Sequence, residues 1–251
     1  MTSDTGCCPA GSLPELIANH KDQGEVIDLP GSDMKLYVVG SGDKVVLHFY
    51  DIFGFTGGRT RFICDQLAKQ GYKVVILDLY RGKTCAGLPM TPESLIPFVK
   101  QFTPEKFVED TKATIEFLKS EGAAKIGATG TCWGAWAIFH CCAAGLAIDC
   151  GVNYHPSVKL EETFGGDLVE LVKKVKVPQL MLPAGNDPDN VKPGGEVIKI
   201  LEGNGVNVEV KEYPRQVHGY MARADMSDPE SVKDVEDATF TAYAFLAKYL
   251  K

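Results

Sequence analysis

Short β-branched runs alternate with longer amphipathic stretches along this chain, and that alternation constrains the fold more than any other property. Residues 45–49, 73–77, 125–129 and 179–182 have the length and composition of buried strands, and residues 206–212 alternate as a strand nearer a sheet edge does. Between them, residues 59–70, 104–121, 133–144, 193–203 and 229–251 carry helical periodicity, with Pro104, Pro193 and Pro229 standing where helices begin. Strands that alternate with helices predict an α/β architecture: a mostly parallel central sheet of about seven or eight strands with helices on both faces. Residues 25–29 and 35–39 predict an antiparallel hairpin around Pro30-Gly31-Ser32, and the proline-bearing stretch 84–103 predicts an excursion over the sheet. No linker or repeat divides residues 13–251, which are expected to form one domain, whereas residues 1–12 are expected to be a flexible tail.

A formal net charge of −7 argues against binding a phosphate backbone, which needs clustered Lys and Arg. No apolar run approaches a membrane span, and the first residues lack the basic start and apolar centre of a secretory signal. A cytoplasmic location is the expectation. The cysteines occur as adjacent pairs, Cys7-Cys8 and Cys141-Cys142, or singly in apolar segments, without zinc-site spacing. Reduced, mostly buried thiols are expected at every cysteine but one.

That one is Cys132. Gly130-Thr131-Cys132-Trp133-Gly134 sets G-x-C-x-G between a predicted strand and a predicted helix, the context of a nucleophile elbow. The tight turn strains its central residue and demands very small side chains two positions either side. It lifts the sulfur above the sheet, where the helix N-terminus favours the thiolate. The Trp133 N–H would supply one oxyanion donor.

Such a nucleophile needs an imidazole to carry protons and an acid to orient it. His20 precedes the sheet, His48 and His140 fall inside a strand and a helix, and His155 comes too early in the chain order. His218, in the loop after the last strand, is the expected base. The acid should leave the end of strand 179–182, where Asp187 and Asp189 both give the order nucleophile, acid, base. Spacing alone does not choose between them.

With these residues in place, the chain resembles the dienelactone hydrolase family over roughly residues 24–250. The likeness rests on Gly130-Thr131-Cys132-Trp133-Gly134, Asp51-Ile52-Phe53-Gly54, Asp78-Leu79-Tyr80-Arg81 and His218-Gly219-Tyr220, in that family's order along the fold. It implies the α/β-hydrolase fold. A proline four residues after the acid is a frequent family feature, so Pro193 favours Asp189. The resemblance also implies Ile52 N–H as second oxyanion donor, and a substrate-binding group of Asp51, Tyr80, Arg81 and Arg223, with Arg81 taking a substrate carboxylate. Two departures matter. Aspartate replaces the family's usual glutamate at position 51, which shortens any reach to the resting cysteine, and Arg223 lies five rather than four residues beyond the histidine.

The expected activity is hydrolysis of a small ester or lactone through a Cys132–His218–Asp189 triad and an acyl-enzyme, with no metal or organic cofactor, by a monomer or homodimer. Two alternatives use the same cysteine: a thioesterase or peptidase-like enzyme, and a non-catalytic or redox-sensing protein.

Overall fold

The computed structural model describes residues 7–251. Its strands are β1 (Glu25–Asp28), β2 (Lys35–Val39), β3 (Lys44–Phe49), β4 (Lys73–Leu77), β5 (Lys125–Thr131), β6 (Cys150–Tyr154), β7 (Gln179–Leu182) and β8 (Val208–Val210). They form one eight-stranded sheet in the order β1-β2-β4-β3-β5-β6-β7-β8. The first two strands pair antiparallel around Ser32, β2 runs antiparallel to β4, and every later pairing is parallel. The helices are α1 (Thr60–Ala68), α2 (Pro92–Val99), α3 (Pro104–Ser120), α4 (Trp133–Ala143), α5 (Leu160–Thr163), α6 (Leu168–Lys174), α7 (Glu196–Gly203), α8 (Tyr220–Arg223) and α9 (Pro229–Tyr249). This is the α/β-hydrolase fold.

Central strands β3 and β5 lie next to each other and are buried along nearly their whole length, as parallel strands covered on both faces are. Helix α4, sequence WGAWAIFHCCA, is apolar nearly all round and buried nearly all round, packed on β3, β5 and β6. The active end of the molecule is the carboxyl end of the parallel strands, where β5 hands over to α4.

Local chemistry accounts for the departures from the sequence pattern. The helix expected from residue 193 starts at Glu196, because Gly194 takes a φ of 76° and the chain first makes a 3-10 turn over Asp189–Val191. The 84–103 excursion contains α2, with Pro92 in its first turn where no amide donor is needed. Strand β6 (CGVNY) is the one periodicity signals least: Gly151 leaves space that Gln179 Oε1 fills, 2.4 Å from where a Cβ would stand. No described helix is long and apolar enough to cross a membrane.

Candidate active site

Cys132 sits between β5 and α4 with φ 54° and ψ −114°, a conformation that costs a non-glycine residue about 1–3 kcal/mol. Three backbone bonds hold it there: its N–H donates to Tyr154 O at 3.1 Å, and its carbonyl accepts from Ala135 N at 3.1 Å and Ser157 N at 3.2 Å. The elbow glycines are required by close approach. A Cβ on Gly134 would stand 2.1 Å from Phe49 O, and one on Gly130 would stand 2.6 Å from the Gly134 carbonyl carbon. Trp133 occupies the first position of α4, so its amide has no acceptor within the helix.

His218 lies beside Cys132, and both are fully buried. Its Nδ1 meets Asp187 Oδ1 at 2.6 Å, and its backbone N–H donates to Asn186 Oδ1 at 2.6 Å. Burial alone would favour the neutral ring, but the neighbouring Cys132 and the Asp187 carboxylate outweigh it and hold the His218 pKa well above its ordinary value. The second Asp187 oxygen accepts from Ala184 N at 2.7 Å. Asp189, favoured by the proline spacing, is not beside the histidine. Its side chain is 97% exposed and pairs with Lys192 at 3.3 Å. The physical reason is the tight turn after β7: Asp187 closes back onto Ala184, and Pro188 carries the chain outward into the 3-10 turn.

Sequence reasoning missed Ser157. Its Oγ lies 3.3 Å from Cys132 Sγ and 3.4 Å from His218 Nε2, so one hydroxyl bridges nucleophile and base. No local motif marks it; only the folding of the β6–α5 loop over the elbow brings it in. His155, at the end of β6, stacks edge-on to His218 with ring centroids 4.8 Å apart. Its burial and then the His218 charge push it well below its usual pKa.

The expected flexible tail behaves otherwise where it can be described. Residues 1–6 lie outside the described residues, but Cys7 and Cys8 are 1% exposed and sit against Cys132. Cys7 Sγ is 3.5 Å and Cys8 Sγ 4.0 Å from Cys132 Sγ. None of the eight cysteines is in a disulfide, and all are buried. Hydrogen bonds from the Cys132 and Cys7 thiols outweigh burial and hold Cys8 well below the ordinary thiol range, whereas burial, reinforced by its two thiol neighbours, pushes Cys7 up.

The remaining expected site residues divide. Ile52 is fully buried in the loop after β3, next to Asp51. Asp51 forms a buried ion pair with Arg223 and accepts from Phe53 N at 2.9 Å. It is engaged there rather than with the resting cysteine, as its shorter side chain suggested. Arg223 lies over the Phe53 ring, donates from Nε to Leu13 O at 3.1 Å, and packs where a Gly219 Cβ would otherwise stand. Its Nη2 is buried without a hydrogen-bond partner among the described residues. Arg81 has no free fork for a substrate carboxylate: Nε meets Asp33 at 2.8 Å, and the terminal nitrogens meet Asp110 at 3.0 Å. Tyr80 is fully buried, stacked on Phe102 and edge-on to Trp133, and neither its hydroxyl nor the Trp133 Nε1 finds a partner among the described residues.

Comparison with known proteins follows the same line. Residues 35–250 match the model of the dienelactone hydrolase family. The carboxymethylenebutenolidase homolog of Rattus norvegicus is 28% identical over 263 aligned positions, covering all of both chains. The human protein of the same name is 28% identical over 230 positions, covering 86% of this chain and 88% of that one. Among solved structures, a dienelactone hydrolase-like promiscuous phosphotriesterase from metagenomic libraries superposes with a TM-score of 0.68. It is 15% identical and covers 90% of this chain and 98% of its own, a likeness of fold.

Proposed function

Because the chain belongs to the dienelactone hydrolase family, we propose that it hydrolyses a small ester or lactone through Cys132, with His218 as the base and Asp187 as the orienting acid. The observation that carries this reading is the buried series Asp187–His218–Cys132, with 2.6 Å at its acid end and Ser157 Oγ bridging His218 Nε2 at 3.4 Å and Cys132 Sγ at 3.3 Å at the other.

Attack by the Cys132 thiolate on the carbonyl carbon forms a C–S bond and moves the carbonyl electron pair onto oxygen. The Trp133 and Ile52 amides are the donors for that oxyanion, in a site dry enough for each to contribute roughly 3 kcal/mol. Collapse breaks the C–O bond, and His218 gives its Nε2 proton to the departing oxygen. Water then enters, loses a proton to the same nitrogen, and attacks the thioester; the thiolate leaves and the acid product is released. Asp187 keeps the imidazole in one orientation and stabilises its cation throughout. Thiolates are readily expelled, so the chemistry favours activated esters and enol lactones, whose own leaving groups are good. A substrate carboxylate finds its partner in Arg223, whose buried Nη2 has no hydrogen-bond partner among the described residues, rather than in Arg81.

The test is turnover of p-nitrophenyl acetate and a dienelactone by wild type and Cys132→Ser, with intact-mass detection of an acyl adduct. Turnover, an adduct on Cys132 and a large loss in the variant are expected. No turnover and no adduct from folded protein with a titratable thiol would overturn the assignment.

A further inference from the structure

Ester hydrolysis does not require two more thiols beside the nucleophile. Yet the sulfurs of Cys7, Cys8 and Cys132 all lie within 4.8 Å of one another. Adjacent side chains of an extended chain point to opposite sides. Here the backbone bends at Cys7 and Cys8, ahead of the turn closed by Ser12 N to Pro9 O, and both thiols converge on Cys132. The segment is tied down along its length. Ser157 Oγ donates to Cys7 O, Asn186 Nδ2 to Ala10 O at 3.0 Å, and Leu13 N to His218 O at 2.9 Å.

We propose that Cys7, Cys8 and Cys132 form a three-thiolate zinc-binding site, and that zinc there holds the N-terminal segment over the nucleophile. Thiolates are standard zinc donors, and zinc–sulfur bonds of about 2.3 Å at tetrahedral angles set their sulfurs about 3.8 Å apart. The separations of 3.5 and 4.0 Å bracket that value. Binding forms three Zn–S bonds; each thiol that arrives protonated releases its proton to solvent, and no electron is transferred. The binding site stands on this geometry alone; the silencing of hydrolysis rests on the hydrolytic reading, since Cys132 cannot serve the metal and a substrate carbonyl together.

The probe is Co2+, then Zn2+, titrated into the chelator-treated, reduced full chain. One equivalent of Co2+ is expected to give the intense near-ultraviolet absorption of thiolate–cobalt charge transfer, displaced by one equivalent of Zn2+. In Cys7→Ser/Cys8→Ser the affinity is expected to fall by on the order of a hundredfold or more. Ester turnover by wild type is expected to stop at one equivalent of Zn2+ and return with chelator, while turnover by the double variant no longer responds at that ratio. Absence of the charge-transfer band from folded, reduced protein would overturn the proposal, as would equal affinity in the double variant. A wild type that binds the metal but is inert toward esters when stripped would sink the hydrolytic reading and leave the zinc site standing.

Discussion

Replacing Asp187 with Asn, beside Asp189→Asn as its control, separates the two candidate acids. In the native pair the Asp187 side chain is fully buried and that of His218 is 1% exposed. One carboxylate oxygen serves the ring and the other accepts from Ala184 N. An amide cannot satisfy both partners. If its oxygen takes the Ala184 N–H, its NH2 group faces Nδ1 and forces the ring proton onto Nε2, where it blocks proton acceptance. If the oxygen faces the ring instead, two donors meet at Ala184. Removing one partner of a buried charge pair costs about 3–5 kcal/mol, which at 1.36 kcal/mol per decade is a fall of roughly 10²–10⁴ in kcat. Asp189 holds only a surface pair with Lys192 at 3.3 Å, worth about 0–1 kcal/mol, so its loss should cost less than about fivefold. The assay is steady-state hydrolysis of p-nitrophenyl acetate in reducing, chelator-containing buffer, with a thermal melt to show each variant folded. A folded Asp187→Asn within threefold of wild type, with Asp189→Asn strongly impaired, would refute the reasoning.

Gly134→Ala drives a methyl group into the Phe49 and Tyr50 carbonyls, 2.1 and 2.7 Å from the Cβ position. It should cost about 3 kcal/mol or more in urea unfolding, and an unchanged midpoint would contradict that. Burial lowers the His48 pKa to about 4. With the folded value below the unfolded one of about 6.5, the denatured chain takes the proton first as pH falls. Stability from this group is full above about 6.5 and drops by about 2 kcal/mol by pH 5, so His48→Asn should show a correspondingly shallower loss between pH 7 and 5 in paired melts. Arg81→Ala leaves Asp110 with Lys106 alone, at 3.1 Å, and should lower stability by about 1–2 kcal/mol. Its KM for a carboxylate-bearing ester should move no more than for a neutral ester, and a selective tenfold rise would restore Arg81 to the substrate.

The sheet was legible because buried strands such as β3 and β4 carry apolar runs at 45–47 and 74–77, flanked by the proline- and glycine-marked ends of helices. The elbow was legible because its constraint is steric and local: the glycines at 130 and 134 are demanded by backbone atoms within 3 Å of their missing side chains. The acid was not, since Asp187 and Asp189 differ by how one turn closes after β7, and a proline spacing does not encode that closure. Ser157, Asn186 and the approach of Cys7 and Cys8 were beyond reach for a related reason. Each depends on loops from separate parts of the chain meeting at the elbow, and no periodicity carries such information.

The N-terminal segment changes what access to Cys132 means. A carbonyl carbon must come within bonding distance of a sulfur that is now 0% exposed, so residues 7–13 have to leave before any substrate enters. Leaving gives up the bonds from Ser157, Asn186, Leu13 and Arg223 and re-exposes two buried thiols. At about 1 kcal/mol net per hydrogen bond, the closed form is favoured by a few kcal/mol, well below global unfolding and typical of a segment that opens locally. Observed turnover is scaled by the open fraction. The Arg223 bond to Leu13 O makes the coupling specific. The residue that holds Asp51 also holds the segment's last anchor, so a substrate carboxylate that engages Nη2 of Arg223, unpartnered among the described residues, competes at the hinge of the closed form. Occupancy of the site and displacement of the segment then become one event, which favours anionic substrates over neutral ones of equal intrinsic reactivity.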